Sequence, residues 1–100
     1  MKLVYSRRAL TDLNAIASYY AASASPGIAG SIERRLVSVI DRICRSPESA
    51  PRVSQRSQVR VAAVVRYPFR IFYRVRGDTI DILHIRHTSR RPASWADTTK

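Results

Sequence analysis

Arginine and histidine side chains are concentrated in the second half of the chain, and they are the residues best suited to chemistry. Between residues 66 and 91 they alternate with aliphatic and aromatic residues: Arg66, Arg70, Arg74, Arg76, His84, Arg86, His87, Arg90 and Arg91. A guanidinium binds phosphate or carboxylate through two parallel hydrogen bonds, and a histidine can transfer a proton near neutral pH. The segment therefore indicates recognition of an anion.

The charge of the whole chain also favours an anionic partner. The 100 residues carry a formal net charge of +11. Residues 51–100 contain eleven Lys or Arg against three Asp or Glu, whereas residues 1–50 contain seven against four. Such a field attracts polyanions and acidic proteins at long range. The alternative is a GC-rich genome that encodes arginine wherever a surface cation is needed.

Two strands, near residues 70–76 and 79–87, position these cations. A two-residue primed turn at Gly77-Asp78 would pair Arg76 with Thr79 and fix the faces of both strands. One face is then largely apolar and directed at the helices: Ile71, Tyr73, Val75, Ile80, Ile82 and an inward His84. The other face has an apolar floor of Phe72, Leu83 and Ile85 and ends at His87. A cationic rim borders this floor, with Arg70 and with Arg74 paired to Asp81.

Two amphipathic helices precede the hairpin. Ser6 is the predicted N-cap of the first, which runs from about residue 7 to 22 with Leu10, Leu13, Ile16 and Tyr20 on its apolar side. Ser25 and Pro26 form an N-cap and first-turn pair for the second, which ends before Pro47. Its apolar stripe is Ile28, Ile32, Leu36, Val39, Ile40 and Ile43.

The order of elements predicts an α+β fold. Short strands are expected at residues 3–5 and 59–65, and a polar loop at 47–58. The order is β-α-α-β-β-β, with two helices packed on one face of a twisted antiparallel sheet. Residues 1–92 should form one domain, and 93–100 a flexible tail containing Trp95.

Cysteine content and hydropathy exclude several classes of protein. Cys44 is the only cysteine, so neither a disulfide nor a cysteine-based metal site can form within one chain. No cofactor or metal is expected. No run of about eighteen apolar residues is present, and the first residues lack the pattern of a signal peptide. We therefore expect a cytoplasmic protein.

The run RYPFRIFYRVRGDTIDILHIRH, from Arg66 to His87, resembles the hallmark hairpin of the ParE/RelE superfamily of type II toxins. The resemblance covers Lys2 to about Pro92 and implies the same order of elements. It also implies an acidic antitoxin whose C-terminal helix and extended strand wrap the toxin. The residues assigned to antitoxin or target binding are Arg70, Phe72, Arg74, Leu83, Ile85, His87, Arg90 and Arg91. Alternatively, the chain's own tail, with Trp95, covers the apolar floor.

The resemblance leaves two activities open. RelE-like members cut mRNA on the ribosome, and that reading makes His87 the acid and Arg66, Arg70 and Arg86 the phosphate clamps. ParE-like members inhibit DNA gyrase by protein–protein contact. Residues 49–77 contain no lysine or acidic residue, and arginine is a poor general base, which favours the ParE branch and a non-enzymatic toxin. A third possibility is a non-toxic, basic nucleic-acid-binding module.

Overall fold

The described part of the chain folds as two helices packed on one face of a five-stranded sheet. The computed structural model describes residues 2–53, 56–64 and 66–88. The elements are β1 (Lys2–Tyr5), α1 (Arg7–Ser23), α2 (Pro26–Arg45), β2 (Arg52–Val53), β3 (Arg56–Val64), β4 (Phe69–Arg76) and β5 (Thr79–His87). The predicted α+β class is confirmed. The expected tail, with Arg90, Arg91 and Trp95, lies outside the described residues.

Both helices begin at the predicted caps. Ser6 Oγ accepts the Ala9 N–H at 2.9 Å and Ser25 Oγ accepts the Ile28 N–H at 3.1 Å, so each hydroxyl satisfies an amide that the first turn leaves unpaired. Pro26 occupies the first turn of α2, where no amide hydrogen is required. Sequence alone therefore located both helix starts.

The core lies between the helices and the sheet. Five of the six predicted stripe residues of α2 are buried there: Ile32, Leu36, Val39, Ile40 and Ile43. They meet the fully buried side chains of the central strands, among them Phe69, Ile71, Tyr73, Ile80 and Ile82. Ile28 is the exception, 45% exposed, because it lies in the first turn of α2. Its prediction as a core residue was wrong.

The sheet order is β1-β5-β4-β3-β2, and β1 departs from the expected antiparallel arrangement. It pairs in parallel with β5, from Lys2 opposite Thr79 to Tyr5 opposite Ile82, while the other pairings are antiparallel. From β1 the chain passes through both helices and then through β2, β3 and β4, and β5 finally lies beside β1. The pattern of hydrophobic residues in the sequence does not specify whether β1 runs parallel or antiparallel to its neighbour.

The predicted polar loop after α2 contains a short strand and is fixed to the sheet. β2 pairs with β3, so the assignment of residues 47–58 to a loop was wrong in part. Tyr73 Oη donates to the Pro47 carbonyl at 2.7 Å, and Arg60 Nη1 donates to the Glu48 and Ala50 carbonyls. Burial raises the pKa of the Tyr73 phenol, which keeps it a neutral donor. A core tyrosine and an arginine therefore position this segment.

Candidate functional site: the arginine face of the sheet

The site lies on the face of the sheet opposite the helices, which we call the arginine face. It consists of a half-buried apolar floor and a cationic rim: Val61, Phe72 and Leu83 with Arg70, Arg74, Arg76 and Arg86. Alternation along β4 directs these side chains away from Ile71 and Tyr73, which are fully buried on the helix side. The sequence predicted Arg70, Phe72, Arg74 and Leu83 on this face.

Near the turn, the predicted register is confirmed. Arg76 pairs with Thr79, Val75 with Ile80 and Arg74 with Asp81. Gly77 has a φ of 62°, and Asp78 does not share the positive φ, which is the pattern of a type II′ turn. The predicted primed turn therefore sets the faces of both strands in this half of the hairpin.

Asp81 forms ion pairs with two arginines at this end. Its Oδ2 accepts from Nη2 of Arg74 at 3.0 Å and from Nε of Arg76 at 3.0 Å, and its Oδ1 accepts from Nη2 of Arg76 at 3.2 Å. These hydrogen bonds, those from Arg76 foremost, lower the pKa of Asp81, although desolvation opposes the shift. Both guanidiniums therefore have an internal counterion.

A β-bulge at Leu83 shifts the pairing beyond this point. Tyr73 pairs with Ile82, but Phe72 pairs with His84, Ile71 with Ile85, Arg70 with Arg86 and Phe69 with His87. An extra residue in one strand displaces every later residue by one position. The bulge therefore exchanges the faces predicted for His84, Ile85 and His87.

Ile85 and His87 consequently lie on the helix side, and their predicted placement on the arginine face was wrong. Ile85 is fully buried in the core, and His87, 9% exposed, packs edge-on against Phe69 with ring centroids 5.2 Å apart. His84, predicted to face inward, instead stacks on Phe72 with centroids 5.7 Å apart. Arg86, which the sequence placed in the alternative catalytic set, takes the position opposite Arg70.

The start of α1 holds the bulge in place. β1 ends at Tyr5, and Ser6 then donates its N–H to the Ile82 carbonyl and its Oγ–H to the Leu83 carbonyl. Asp12 follows, with Oδ2 at 2.7 Å from Nδ1 of His84 and 3.0 Å from the Ile85 amide nitrogen. A carboxylate on a helix thus satisfies an edge amide that a longer β1 would have paired. Sequence reasoning missed Asp12, because its partners lie more than seventy positions away.

Past the bulge, two arginines face each other on the arginine face. Arg70 pairs directly with Arg86 across the strands, and like charges in that position repel. Among residues 2–53, 56–64 and 66–88, no carboxylate lies within 4.0 Å of either guanidinium. This end of the face is therefore suited to an anion from another molecule.

The alternative catalytic residues are not brought together. His87 is buried on the helix side, whereas Arg70 and Arg86 lie on the arginine face. Arg66 lies in the β3–β4 turn, where it adopts a φ of 78°. That value is in the left-handed region, which costs a non-glycine residue roughly 1–2 kcal/mol. The sheet thus separates the proposed acid from two of its clamps.

A second exposed apolar surface lies between the helices, and we call it the helix groove. It is a cavity of about 260 Å³. Leu10 and Val37 line it and are 50% and 52% exposed, respectively, and Leu13 and Ile16 form its wall. The sequence assigned Leu10 to the core. Val37 is apolar but lies outside the predicted stripe of α2. This position in the sequence was the signal that α2 has an additional apolar side.

Neither helix of the described residues has the length and apolar character needed to cross a membrane. Fold and site together define a small basic α+β protein with a cationic sheet face. The family match is direct: residues 3–92 match the family described as "ParE toxin of type II toxin-antitoxin system, parDE". The chain belongs to this family of ParE toxins.

Solved structures agree with the family. The chain resembles a chain of the chromosomal ParDE toxin–antitoxin system from P. aeruginosa, with 30% identity, 89% of this chain and 97% of that chain covered, and a TM-score of 0.79. RelB–RelE from Methanococcus jannaschii is 18% identical, with 97% and 99% covered and a TM-score of 0.60. The intact E. coli RelBE complex is 14% identical, with 90% and 98% covered and a TM-score of 0.58. The two RelE structures show the fold alone. A search of curated proteins found no match.

Proposed function

We propose that this ParE toxin acts in the cytoplasm, inhibits DNA gyrase by protein–protein contact, and is neutralised by an acidic antitoxin. Membership of the ParE family supports the gyrase target. The side chains of β3 and β4 support it as well, since their ionisable groups are arginines and one core tyrosine, and none is a suitable general base for RNA cleavage. Burial of His87 away from Arg70 and Arg86 weakens the nuclease alternative further.

The Arg70–Arg86 pair is the observation that carries the antitoxin proposal. Arginines at directly opposed positions of neighbouring strands repel each other, so a carboxylate bound there would relieve the repulsion and form charge-assisted hydrogen bonds. The floor beside them, Phe72 and Leu83, is half-buried and can receive apolar side chains. An extended acidic segment with interspersed apolar residues has this chemistry.

The helix groove supplies a second contact for the same partner. An amphipathic helix binds a groove through apolar side chains spaced three and four residues apart. Leu10, Leu13 and Val37 provide the apolar wall, and Glu33 is the one carboxylate among the residues that line it. We infer that a helix of the antitoxin occupies the groove while an acidic segment reaches the arginine face.

The target is tested by a supercoiling assay with purified DNA gyrase. We expect the toxin to reduce supercoiling of a relaxed plasmid and the acidic product of the neighbouring reading frame to restore it. Unchanged supercoiling at excess toxin would refute gyrase as the target. Cleaved transcripts on translating ribosomes, lost in His87→Ala, would support the nuclease instead.

The antitoxin surface is tested by charge reversal. Arg70→Glu with Arg86→Glu should weaken antitoxin binding by at least tenfold, because two charge-assisted contacts become repulsive. The matched control is Arg42→Glu with Arg45→Glu, which changes the charge equally on the exposed side of α2. Equal loss of affinity in both variants, measured by calorimetry, would show that net charge rather than the Arg70–Arg86 pair attracts the antitoxin.

A further inference from the structure

A separate cleft lies where the polar side of α2 meets the β3–β4 turn, and we call it the α2–turn cleft. Its volume is about 370 Å³. The described residues that line it are Ser31, Arg34, Arg35, Ser38 and Tyr67. The four helix residues have the spacing i, i+3, i+4, i+7, which places them on one side of α2. This side is distinct from the helix groove, which Glu33 and Val37 border.

Every described side chain of the cleft can donate a hydrogen bond, and none is a carboxylate. Arg34 and Arg35 contribute two guanidiniums, and Ser38 and Tyr67 contribute hydroxyls. No carboxylate of residues 2–53, 56–64 and 66–88 lies within 4.0 Å of either guanidinium. A shallow, open site with these properties suits an anion that accepts several hydrogen bonds.

Ser31 orients one of the cations. Its hydroxyl donates to the Gly27 carbonyl at 3.1 Å and accepts from Nη2 of Arg34 at 3.1 Å. That guanidinium lies over Gly30, where an added Cβ would be 3.4 Å from Nη1 of Arg34. Arg34 is thus held along the helix surface with its remaining N–H groups available, and Ser31 is a positioning residue.

A larger cavity near the hairpin turn fits an anion less well. Its volume is about 510 Å³, and its lining includes Arg60, Arg74 and Arg76. Asp81 already pairs with Arg74 and Arg76, and Arg60 donates to the Glu48 and Ala50 carbonyls. Glu48 itself lines the cavity, together with a fourth arginine, Arg52. The α2–turn cleft is smaller, but no carboxylate is among the described residues that line it.

We propose that the α2–turn cleft binds a phosphate group of a nucleic-acid backbone. Arg34 and Arg35 are the cationic donors, and the hydroxyls of Ser38 and Tyr67 are the neutral donors. Arginine, serine and tyrosine side chains are among the groups that contact phosphate oxygens in protein–DNA complexes, and a chain of net charge +11 attracts a polyanion at long range. These contacts position a nucleic acid without reading its sequence. The proposal does not depend on the cellular target of the toxin.

The proposal is tested by measuring the affinity of the full chain for a short DNA duplex at several salt concentrations. Arg34→Gln with Arg35→Gln should weaken binding about tenfold and lower the slope of log affinity against log salt by about one. Arg42→Gln with Arg45→Gln is the control, since it removes the same charge from α2 outside the cleft. Equal weakening in the two variants would overturn the proposal.

Two further variants keep the test decisive if the double substitution disturbs folding. Tyr67→Phe and Ser38→Ala each remove one hydroxyl without changing the charge. Each should weaken duplex binding by about fivefold, because a neutral hydrogen bond contributes about 1 kcal/mol. Unchanged affinity in both would refute a phosphate in the cleft.

Backbone amide shifts distinguish the sources of the anion. Titration with the duplex should shift the amides of Ser31 to Ser38 and of Tyr67. If inorganic pyrophosphate shifted the same amides with equal affinity, the cleft would be a site for free phosphates rather than for a polymer. If poly-glutamate did so, the partner would be an acidic protein segment. Either result would overturn the nucleic-acid assignment.

Discussion

The two halves of the β4–β5 hairpin carry similar arginines but balance their charges differently. Near the turn, Asp81 lies between Arg74 and Arg76 and serves both. Beyond the bulge, Arg70 faces Arg86, while the nearby carboxylate of Asp12 is taken up by His84 and the Ile85 amide. One half therefore has an internal counterion, and the other has none among the described residues.

The two halves of the hairpin also differ in what determines their strand pairing. Local pairing from Gly77 fixes the half near the turn. The far half depends on Ser6 and Asp12, which belong to the first helix and its cap. A partner that displaced α1 would therefore disturb the far half first.

The largest effect should come from Ile85→Ala. The bulged register buries Ile85 fully in the core, so its truncation should reduce the free energy of unfolding by about 3 kcal/mol. Leu83→Ala, on the arginine face, should cost less than about 1 kcal/mol. Urea denaturation of both variants measures the two changes in the free energy of unfolding. Similar losses at the two positions would contradict the bulge.

Asp12→Asn should have the next largest effect. The substitution weakens the acceptor shared by His84 and the Ile85 amide, both of which are largely buried. We expect a loss of about 2 kcal/mol in the free energy of unfolding. Asp41→Asn, at an exposed position on α2, should change stability by no more than about 0.5 kcal/mol. A larger effect at Asp41 than at Asp12 would show that the far half does not depend on this carboxylate.

Asp81 should make the half near the turn sensitive to acid. Its pKa is lowered from 3.8 in the folded chain, so its ion pairs stabilise the fold above that value, and the contribution is lost as pH falls through the lowered pKa. The difference in free energy of unfolding between the wild type and Asp81→Asn should therefore shrink as the pH falls below about 4. It should also shrink at high salt, because Arg74 and Arg76 are partly exposed. A constant difference would contradict the role of the ion pairs.

The smallest effect concerns the two turns that bound β4. Gly77 adopts a positive φ without cost, whereas Arg66 adopts one with a side chain. Arg66→Gly should raise the free energy of unfolding by about 0.5 kcal/mol, since relief of strain exceeds the added chain entropy. Arg66→Ala removes the charge but keeps the Cβ, and should not produce this gain. Thermal unfolding compares the two, and equal stabilities would argue against strain at Arg66.

Sequence predicted those parts of the fold that neighbouring residues determine. The caps at Ser6 and Ser25, the stripe of α2 apart from Ile28, and the turn at Gly77 all follow from local chemistry, and the structure confirms them. They were sufficient to place Arg70 and Arg74 on one face.

Distant contacts determine the parts that sequence did not predict. The bulge depends on Ser6 and Asp12, and an unbulged register placed Ile85 and His87 on the wrong face. The parallel pairing of β1 and the strand within residues 52–53 likewise depend on partners elsewhere in the sheet. The facing pair Arg70–Arg86 follows only once the bulge is known.

The parallel pairing of β1 with β5 has a consequence for synthesis of the chain. Among the described residues, β1 has β5 as its one sheet neighbour, because Lys2 lies beside Thr79 and Tyr5 beside Ile82. Closing so long a loop makes this pairing a late event in folding. A growing polypeptide cannot complete the sheet before β5 leaves the ribosome, and a premature stop codon upstream of β5 should yield a harmless fragment.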